Sequence, residues 1–263
     1  MIPMRQAAKM SDRFGTLIER HDTADFPYYN CIPVRISGLQ WWFVMLMVAL
    51  GFTALITLGS IFLGPLAGFI PAILFVAFPL AGLILVARGH WQAIFRRVSG
   101  RDILTMVVFA ILNILVSSTV GAIVAQIFGA GANPEVNALA KGSAVDWIMF
   151  FPKTAIQLFG EELLTILPFL ALMYLFVSMI TLSRKAAILL AWGITALVFG
   201  LIHLPTYNWN VAQAVLIIGS ARIVLTLAYI RTKNIWVSTG AHILNDWFLF
   251  TSTAFFAALN IAR

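Results

Sequence analysis

Two adjacent carboxylates stand in a stretch of the chain that otherwise has the composition of an apolar helix. Glu161 and Glu162 lie in FGEELLTILP, and between positions 148 and 182 the only other ionisable side chains are Lys153 and Tyr174. Neighbouring residues on a helix point about 100° apart, so the two carboxylates cannot face one point. One can therefore act as a general acid or base in a cavity while the other holds a partner. The alternative is an ion pair that only fixes helix packing.

Two histidines occur in later apolar stretches. His203 lies near the end of VFGLIHLP, one helical turn after Phe199. In GAHILNDW, His242 and Asp246 are four residues apart with Asn245 beside them, so all three share one helix face. An aspartate one turn from a histidine can orient the imidazole and fix its tautomer, or both side chains can bind a metal.

Ionisable residues inside apolar segments need an explanation, because each costs at least about 2.5–3.5 kcal/mol at the centre of a bilayer. Besides the residues above, the last four apolar segments contain Arg222, in IIGSARIVLT. The carboxylate pair, the first histidine and the His-x-x-x-Asp unit together supply the groups that activate water and stabilise an oxyanion. The sequence therefore predicts a hydrolytic site built from three helices.

The elements that must position these residues are membrane-spanning helices. The chain has 263 residues, of which 61% are hydrophobic and 10% charged, and its mean hydropathy is +0.96. A soluble domain of this size carries roughly a quarter charged residues. Repeated apolar runs of about 18 or more residues predict an all-α, polytopic integral membrane bundle of about seven transmembrane helices. The predicted spans are Trp41–Leu63, Leu66–Ala87, Ile103–Phe128, Trp147–Leu182, Ala186–Leu204, Val211–Ile230 and Ile235–Ala257. The fourth is too long for one straight crossing, which suggests an interfacial start or a bend at Pro168.

The loops between these spans differ in charge. Most loop Lys and Arg residues fall in Arg88–Asp102, Ser183–Lys185 and Arg231–Asn234, whereas the alternate loops hold one lysine between them. Cationic loops stay in the cytoplasm, so the N-terminus is predicted to be cytoplasmic and, after seven spans, the C-terminus to lie outside. This placement also explains the net charge of +7 without nucleic acid as a partner. Residues 1–40 are predicted to be a cytoplasmic extension that forms a surface helix up to about Arg20, and residues 41–263 a transmembrane domain.

The order of the three motifs resembles the CPBP family of intramembrane proteases, which includes the type II CAAX prenyl endopeptidases. That family carries EExxxR, then FxxxH, then HxxxN or HxxxD. The corresponding segments here are EELLTI (Glu161–Ile166), FGLIH (Phe199–His203) and HILND (His242–Asp246). The resemblance covers about residues 147–250, the predicted catalytic core, and the first 140 residues carry no motif. The single cysteine, Cys31, excludes an intramolecular disulfide and a cysteine-rich metal site.

One position departs from the family pattern. The arginine of EExxxR would fall at position 166, which is Ile166 here, so the carboxylate pair lacks its near cation. Arg222 lies in the sixth span, where lipid should not tolerate an unpaired charge. We therefore predict that Arg222 is the substitute counter-ion of Glu161 or Glu162. The alternative is that Arg222 snorkels or binds backbone carbonyls.

The resemblance implies hydrolysis of a peptide bond in a membrane-bound protein or peptide substrate, in the lipid bilayer of a bacterial cell. In the predicted mechanism Glu161 and His203 activate water, while His242 and Asp246 polarise the scissile carbonyl. Glu162 and Arg222 set the local charge, and Phe199 and Asn245 support the site. A second mechanism is metal-assisted, with Glu161, His203 and His242 as ligands of a divalent ion such as zinc.

Two other functional classes stay open. The missing motif arginine favours a non-proteolytic membrane scaffold or bacteriocin self-immunity protein that keeps the fold. A transporter could use the same ionisable groups as a proton path. Helical rise also presents a difficulty: His203 would lie roughly 27 Å from Lys185, but His242 only roughly 14 Å from Lys233, both counted from the cytoplasmic face. If the histidines meet, at least one helix must be tilted, broken or differently bounded.

Overall fold

The computed structural model describes residues 12–22, 24–59, 61, 66 and 68–261, and within them every regular element is helical. Eight α-helices follow one another: α1 (Gly38–Leu58), α2 (Phe69–Ala87), α3 (Gly100–Phe128), α4 (Pro134–Ala140), α5 (Ala144–Tyr174), α6 (Arg184–Ile202), α7 (Gly219–Thr232) and α8 (Ile235–Ile261). Two π-helical segments extend this set, one after α5 (Leu175–Met179) and one before α7 (Gln213–Ile218). The predicted all-α class is confirmed.

Six of these helices are long and apolar enough to cross a membrane. They are α1, α2, α3, α5 with its π-helical continuation, α6, and α7 with the π-helical segment before it. The predicted seventh span corresponds to the 27-residue helix α8, which carries His242, Asn245 and Asp246 and is not among these six. Integral membrane placement with about seven long helices is therefore consistent with the described structure.

Serine caps set where the long helices begin. Ser143 accepts a hydrogen bond from the Asp146 amide while Asp146 reaches back to the Ser143 amide, which forms a capping box at the start of α5. Ser99 and Asp102 do the same for α3. The fourth predicted span is one continuous helix through Pro152 and Pro168 to Met179, and its interfacial start or bend at Pro168 stays a prediction. At 1.5 Å per residue, this helix is about 54 Å long, so it extends beyond the hydrocarbon core or crosses it at a tilt.

The packing places α5 at the centre of the bundle. This helix contacts α1, α2, α6 and α8, while α3 packs on α7 and α8. Leu163, Ile166, Leu167, Phe169 and Leu170 are completely buried on α5 and belong to the main hydrophobic core. The two glutamates immediately precede this buried stretch, so their backbone positions are fixed by the best-packed part of the fold.

The segment before α1 packs into the same core. Phe26, Tyr28, Tyr29 and Ile36 are buried together with side chains of the transmembrane helices. The surface helix predicted up to about Arg20 lies largely on residues 1–11, outside the described residues, and positions 12–20 contain a short 3-10 element and turns. The division into an extension (1–40) and a transmembrane domain (41–263) stays a prediction, although the described part of the extension is bound closely to the bundle.

Candidate active site

Glu162 is the buried anchor of the candidate site. Its side chain is fully buried, and its Oε1 accepts a hydrogen bond from Arg222 Nη2 at 2.5 Å. The same oxygen lies 2.9 Å from His242 Nδ1. Because a carboxylate oxygen accepts, the imidazole donates from Nδ1 and its Nε2 is left to face the cavity. The predicted pairing of Arg222 with one of the two glutamates is therefore present, and it selects Glu162.

Position 166 carries no cation, and the positive charge beside Glu162 comes from another helix. Ile166 lies one turn after Glu162 on the same face of α5 and is completely buried in the hydrophobic core. Arg222 reaches the carboxylate from α7, 60 residues further along the chain, and its own side chain is fully buried. The charge that the family motif places on the helix of the glutamates is supplied here by a neighbouring helix.

Glu161 is the carboxylate that faces open space. Its side chain is 13% exposed, and its Oε2 lies 3.8 Å from Nε2 of His242. Gln157, one turn earlier on α5, donates from Nε2 to Glu161 Oε1 at 3.2 Å. The two glutamates therefore divide as the helix geometry predicts, one towards a cavity and one towards a buried partner.

Asp246 approaches the same imidazole from the other side. Its Oδ2 lies 3.7 Å from His242 Nε2, and its Oδ1 accepts a hydrogen bond from Asn245 Nδ2 at 2.7 Å. The i and i+4 positions on α8 thus place the carboxylate beside the ring, as predicted. The Nε2 atom of His242 consequently faces two carboxylates, neither of which is close enough for a direct hydrogen bond.

His203 packs against the tilted ring of Phe199. It ends α6, and because the Phe199 carbonyl accepts, its Nδ1 donates to that oxygen at 2.7 Å, which leaves Nε2 available. The ring centroids of Phe199 and His203 are 4.7 Å apart. The Arg222 guanidinium carbon also lies over the Phe199 ring, 4.9 Å from its centroid. Phe199 therefore links the second motif to the charge pair of the first.

One cavity of about 730 Å³ joins these groups. Seven of the eight predicted site residues line it: Glu161, Phe199, His203, Arg222, His242, Asn245 and Asp246. Glu162 does not line the cavity, but it contacts Arg222 and His242, which do. Although helical rise predicts different depths for the two histidines, His203 and His242 border the same space.

Polar contacts tie the rim of this cavity together. Gln213 exchanges hydrogen bonds with both backbone groups of Gly131, each at 2.8 Å. Asn133 donates to the Tyr207 hydroxyl at 3.2 Å, and Asn210 donates to the Gly129 carbonyl at 3.0 Å. The connection between α3 and α4 is thus fastened to the connection between α6 and α7. These hydrogen bonds hold the two connections next to each other at this end of the cavity.

An apolar groove meets the cavity from the side. It has a volume of about 550 Å³, lies between α1, α5 and α6, and is lined by side chains such as Trp41, Trp42 and Met45. Phe52, Leu164, Phe199 and Ile202 border both spaces. The apolar groove and the polar cavity are thus adjacent and are separated by side chains that they share.

The proposed metal ligands do not form a metal site. A catalytic zinc needs three protein donors at about 2.0–2.2 Å from one point. In the part of the chain that the structure describes, no group of three or more His, Cys, Asp or Glu side chains could hold a metal ion. Glu161, His203 and His242 border one cavity but do not converge in this way. We therefore derive no step through a metal.

Three contributors were missed by the sequence reading. Gln157 positions Glu161, and its only sequence signal is a polar residue four positions before a glutamate. Thr154 accepts a hydrogen bond from Trp247 Nε1 at 3.0 Å and so joins α5 to α8. Asn113 on α3 is completely buried, lines the cavity, and has no hydrogen-bond partner for its amide among the described residues. No motif marks that helix, so nothing in the sequence pointed to it.

Comparison with known proteins supports the motif assignment. Residues 143–248 match the family model described as type II CAAX prenyl endopeptidase Rce1-like. No curated protein and no solved structure gives a match. The matched segment begins at the cap of α5 and ends within α8, so it contains all three motifs and Arg222. Such a family suggests an intramembrane protease of the CAAX type. The resemblance predicted from the three motifs is therefore confirmed: residues 143–248 are similar to the Rce1-like type II CAAX prenyl endopeptidases, a group within the CPBP family.

Proposed function

We propose that this protein is an intramembrane endopeptidase that hydrolyses a peptide bond of a membrane-associated protein or peptide. The observation that carries the proposal is the facing pair of Glu161 Oε2 and His242 Nε2, 3.8 Å apart on the wall of a cavity. Two acceptor atoms at that separation can both contact one water at roughly 2.8 Å. The pair is the arrangement that a hydrolase needs to hold and deprotonate its nucleophile.

Glu161 is the proposed general base. It takes a proton from the bound water, and the resulting hydroxide adds to the scissile carbonyl carbon, so that the carbonyl oxygen becomes an oxyanion. His242 orients this water through Nε2, while Glu162 holds the ring by Nδ1. The sequence reading assigned His203 to the water. We move that role to His242 because its Nε2 lies 3.8 Å from Glu161 Oε2.

His203 and Asp246 complete the proposed reaction. His203 has its Nδ1 fixed on the Phe199 carbonyl, so a protonated ring can offer its Nε2–H to the oxyanion or to the leaving nitrogen. The proton taken by Glu161 passes to the leaving nitrogen and the C–N bond breaks, which gives an amine and a carboxylic acid; the acid then transfers its proton to the amine. Asp246, held by Asn245, keeps negative charge beside His242 and favours its orientation.

The proposed partners are a membrane-bound substrate and the lipid bilayer itself, in a bacterial cell membrane with the N-terminus in the cytoplasm. The apolar groove that borders the cavity supports a substrate that arrives from the membrane. The scaffold or immunity alternative rested on the missing arginine at position 166. Arg222 supplies that charge to Glu162, which removes the observation that favoured the alternative.

The test is a comparison of membrane proteomes from cells that contain the natural chain, the Glu161→Gln variant or the Glu135→Gln variant. Glu135 also lines the cavity but pairs with Lys153 at 3.1 Å, so it is a matched carboxylate outside the reacting groups. We expect new peptide termini with the natural chain and with Glu135→Gln, and none with Glu161→Gln. Termini that persist in Glu161→Gln would contradict the mechanism, and their absence in all three would favour a scaffold.

A further inference from the structure

The cavity opens at one particular end of the bundle. Besides the reacting groups, its lining includes Asn133 and Glu135 beyond α3, Pro205 and Thr206 beyond α6, and the second half of α8 at Leu249–Thr253. No described residue of positions 12–37 or of the connection between α2 and α3 lines it. The mouth therefore lies on the side of the connections that follow α3 and α6.

The opposite end of the bundle is closed by a buried ionic network. Arg184, at the start of α6, binds Glu19 at 2.5 Å and Asp25 at 2.6 Å. Lys233, between α7 and α8, binds the same Glu19 at 3.0 Å, and Arg20 binds Asp102 at the start of α3 at 2.6 Å. Connections that the sequence placed on one side of the membrane are thus joined to one another by residues 12–37.

The two ends also differ in charge. The closed end carries the basic residues of three connections: Arg88, Arg96, Arg97, Arg101, Arg184, Lys185, Arg231 and Lys233. The mouth end has Lys141 in its connections and Lys153 on α5, and Lys153 is paired with Glu135. An excess of Lys and Arg in short connections sets orientation, with the basic side in the cytoplasm. This difference in charge indicates one orientation of the bundle in the membrane, with the closed end in the cytoplasm.

We infer that the cavity mouth opens on the extracytoplasmic face, so that the site receives an extracytoplasmic segment of a membrane protein or peptide next to its transmembrane helix. The inference rests on the proposed protease for its substrate, but the orientation stands on charge and geometry alone. A C-terminal CAAX-type peptide in the cytoplasm would meet the closed, basic end of the bundle. The apolar groove that borders the cavity suits the helix or chain that anchors such a substrate.

Cysteine labelling in intact cells tests the orientation. Thr206→Cys places a thiol on an exposed residue at the mouth, and Val98→Cys places one on an exposed residue of the α2–α3 connection. The natural chain is the blank, because Cys31 is its single cysteine and is only 7% exposed. With a membrane-impermeant maleimide, we expect Thr206→Cys to react in intact cells and Val98→Cys only after lysis. The reverse pattern would overturn the inference.

A pair of reporters extends the test to the substrate. Each has one transmembrane helix and the same cleavable segment, placed on the extracytoplasmic side in one reporter and on the cytoplasmic side in the other. We expect cleavage of the first reporter only, and its loss with Glu161→Gln. Cleavage of the second reporter alone would contradict the inference. If neither is cut, the proposed protease fails, while the labelling result still decides the orientation.

Discussion

At the scale of single residues, the site is organised around one buried charge. Glu162 is fully buried and shares its Oε1 between Arg222 and His242. A buried ion pair adds little net stability, but removal of one partner leaves an uncompensated charge in the interior. The pair therefore serves to fix the position of His242, and through it the atoms that face the cavity.

Loss of the Arg222 cation should destabilise the folded protein, and this effect should be larger than any direct effect on catalysis. Arg222→Leu leaves Glu162 unpaired, and we expect a loss of about 3–5 kcal/mol in unfolding free energy. Thermal unfolding in detergent measures this change. The double variant Arg222→Leu, Glu162→Leu should recover part of the loss, since neither charge remains. Equal instability of the single and double variants would show that the pair is not coupled.

The position of the cation can be tested directly. Ile166→Arg in the Arg222→Leu chain returns the positive charge to the position that the family motif uses, one turn from Glu162 on α5. We expect this double variant to be more stable than Arg222→Leu alone. A chain that is no better folded would mean that the space at position 166 cannot hold the side chain near Glu162. Thermal unfolding of both variants under one detergent condition gives the comparison.

Gln157 offers a more graded test of the proposed base. Its amide holds Glu161 at 3.2 Å without contributing to the buried ion pair. We expect Gln157→Ala to lower kcat about ten-fold, equivalent to about 1.4 kcal/mol, while KM stays unchanged. A change in KM alone would indicate that Gln157 binds substrate. Steady-state kinetics with the cleaved reporter separates the two outcomes.

Several polar residues that line the cavity could be predicted from sequence because polar side chains are conspicuous in lipid-spanning segments. Glu161, His203, His242, Asp246 and Arg222 each break an apolar run. The different roles of Glu161 and Glu162 could not be predicted. Which glutamate takes the cation depends on a rotation of about 100° along α5 and on the path of α7, and neither is written in local sequence.

At the scale of helices, close contact between α5 and α2 holds the glutamates in place. Gly160 directly precedes Glu161, and a Cβ at this position would lie 2.4 Å from Cδ1 of Phe75. Phe75 is completely buried, so its ring cannot simply turn into solvent. The absence of a side chain at position 160 is therefore a packing requirement of this helix pair.

Gly160→Ala should accordingly destabilise the protein by about 1–3 kcal/mol, the usual cost of an overpacked core. Gly193→Ala is the matched control, because a Cβ there meets nothing within 4 Å. We expect that control to be neutral or up to about 1 kcal/mol more stable, since alanine favours a helix over glycine. Similar unfolding temperatures for the two variants would contradict the tight contact between α5 and α2.

The helices themselves were largely predictable, and their ends less so. Apolar runs located all seven long helices because the bilayer demands that length and composition. The fourth span continues as a helix through both prolines, where α5 packs against α1, α2, α6 and α8. The π-helical segment Gln213–Ile218, by contrast, has no sequence signature of its own.

At the scale of the whole molecule, residues 12–37 act as a clamp across one end of the bundle. The clamp joins α3, α6 and the α7–α8 connection through Arg20, Glu19 and Asp25. Burial opposes ionisation of Glu19, but hydrogen bonds and charge from Arg184, with help from Lys233, hold its pKa below the ordinary 4.5. Burial also opposes ionisation of Asp25, and Arg184 again outweighs it and lowers the pKa below 3.8.

The clamp should therefore open in acid. A carboxyl whose pKa is lower in the folded chain adds stability above its unfolded pKa and loses it as the pH falls through the folded value. The contribution of Glu19 is thus complete above about pH 4.5 and declines below it. Cys31 lies within the clamp and is buried, so its reaction rate with 4,4′-dithiodipyridine reports opening. We expect protection from pH 7 to about 5 and rising reactivity, relative to a free thiol, below about pH 4.

The variant Glu19→Gln identifies the group responsible. It removes the charge that Arg184 and Lys233 share, so two buried cations lose their common partner and Cys31 should react faster already at pH 7. Its pH dependence should be flatter because the titrating carboxyl is gone. Asp22→Asn is a suitable control, since the Asp22 ion pair with Arg101 is exposed and exposed pairs contribute only about 0–1 kcal/mol. If the natural chain protects Cys31 equally at pH 7 and pH 3, the ionic network does not hold residues 12–37 on the bundle, and apolar packing of Phe26 and Tyr28 alone is sufficient.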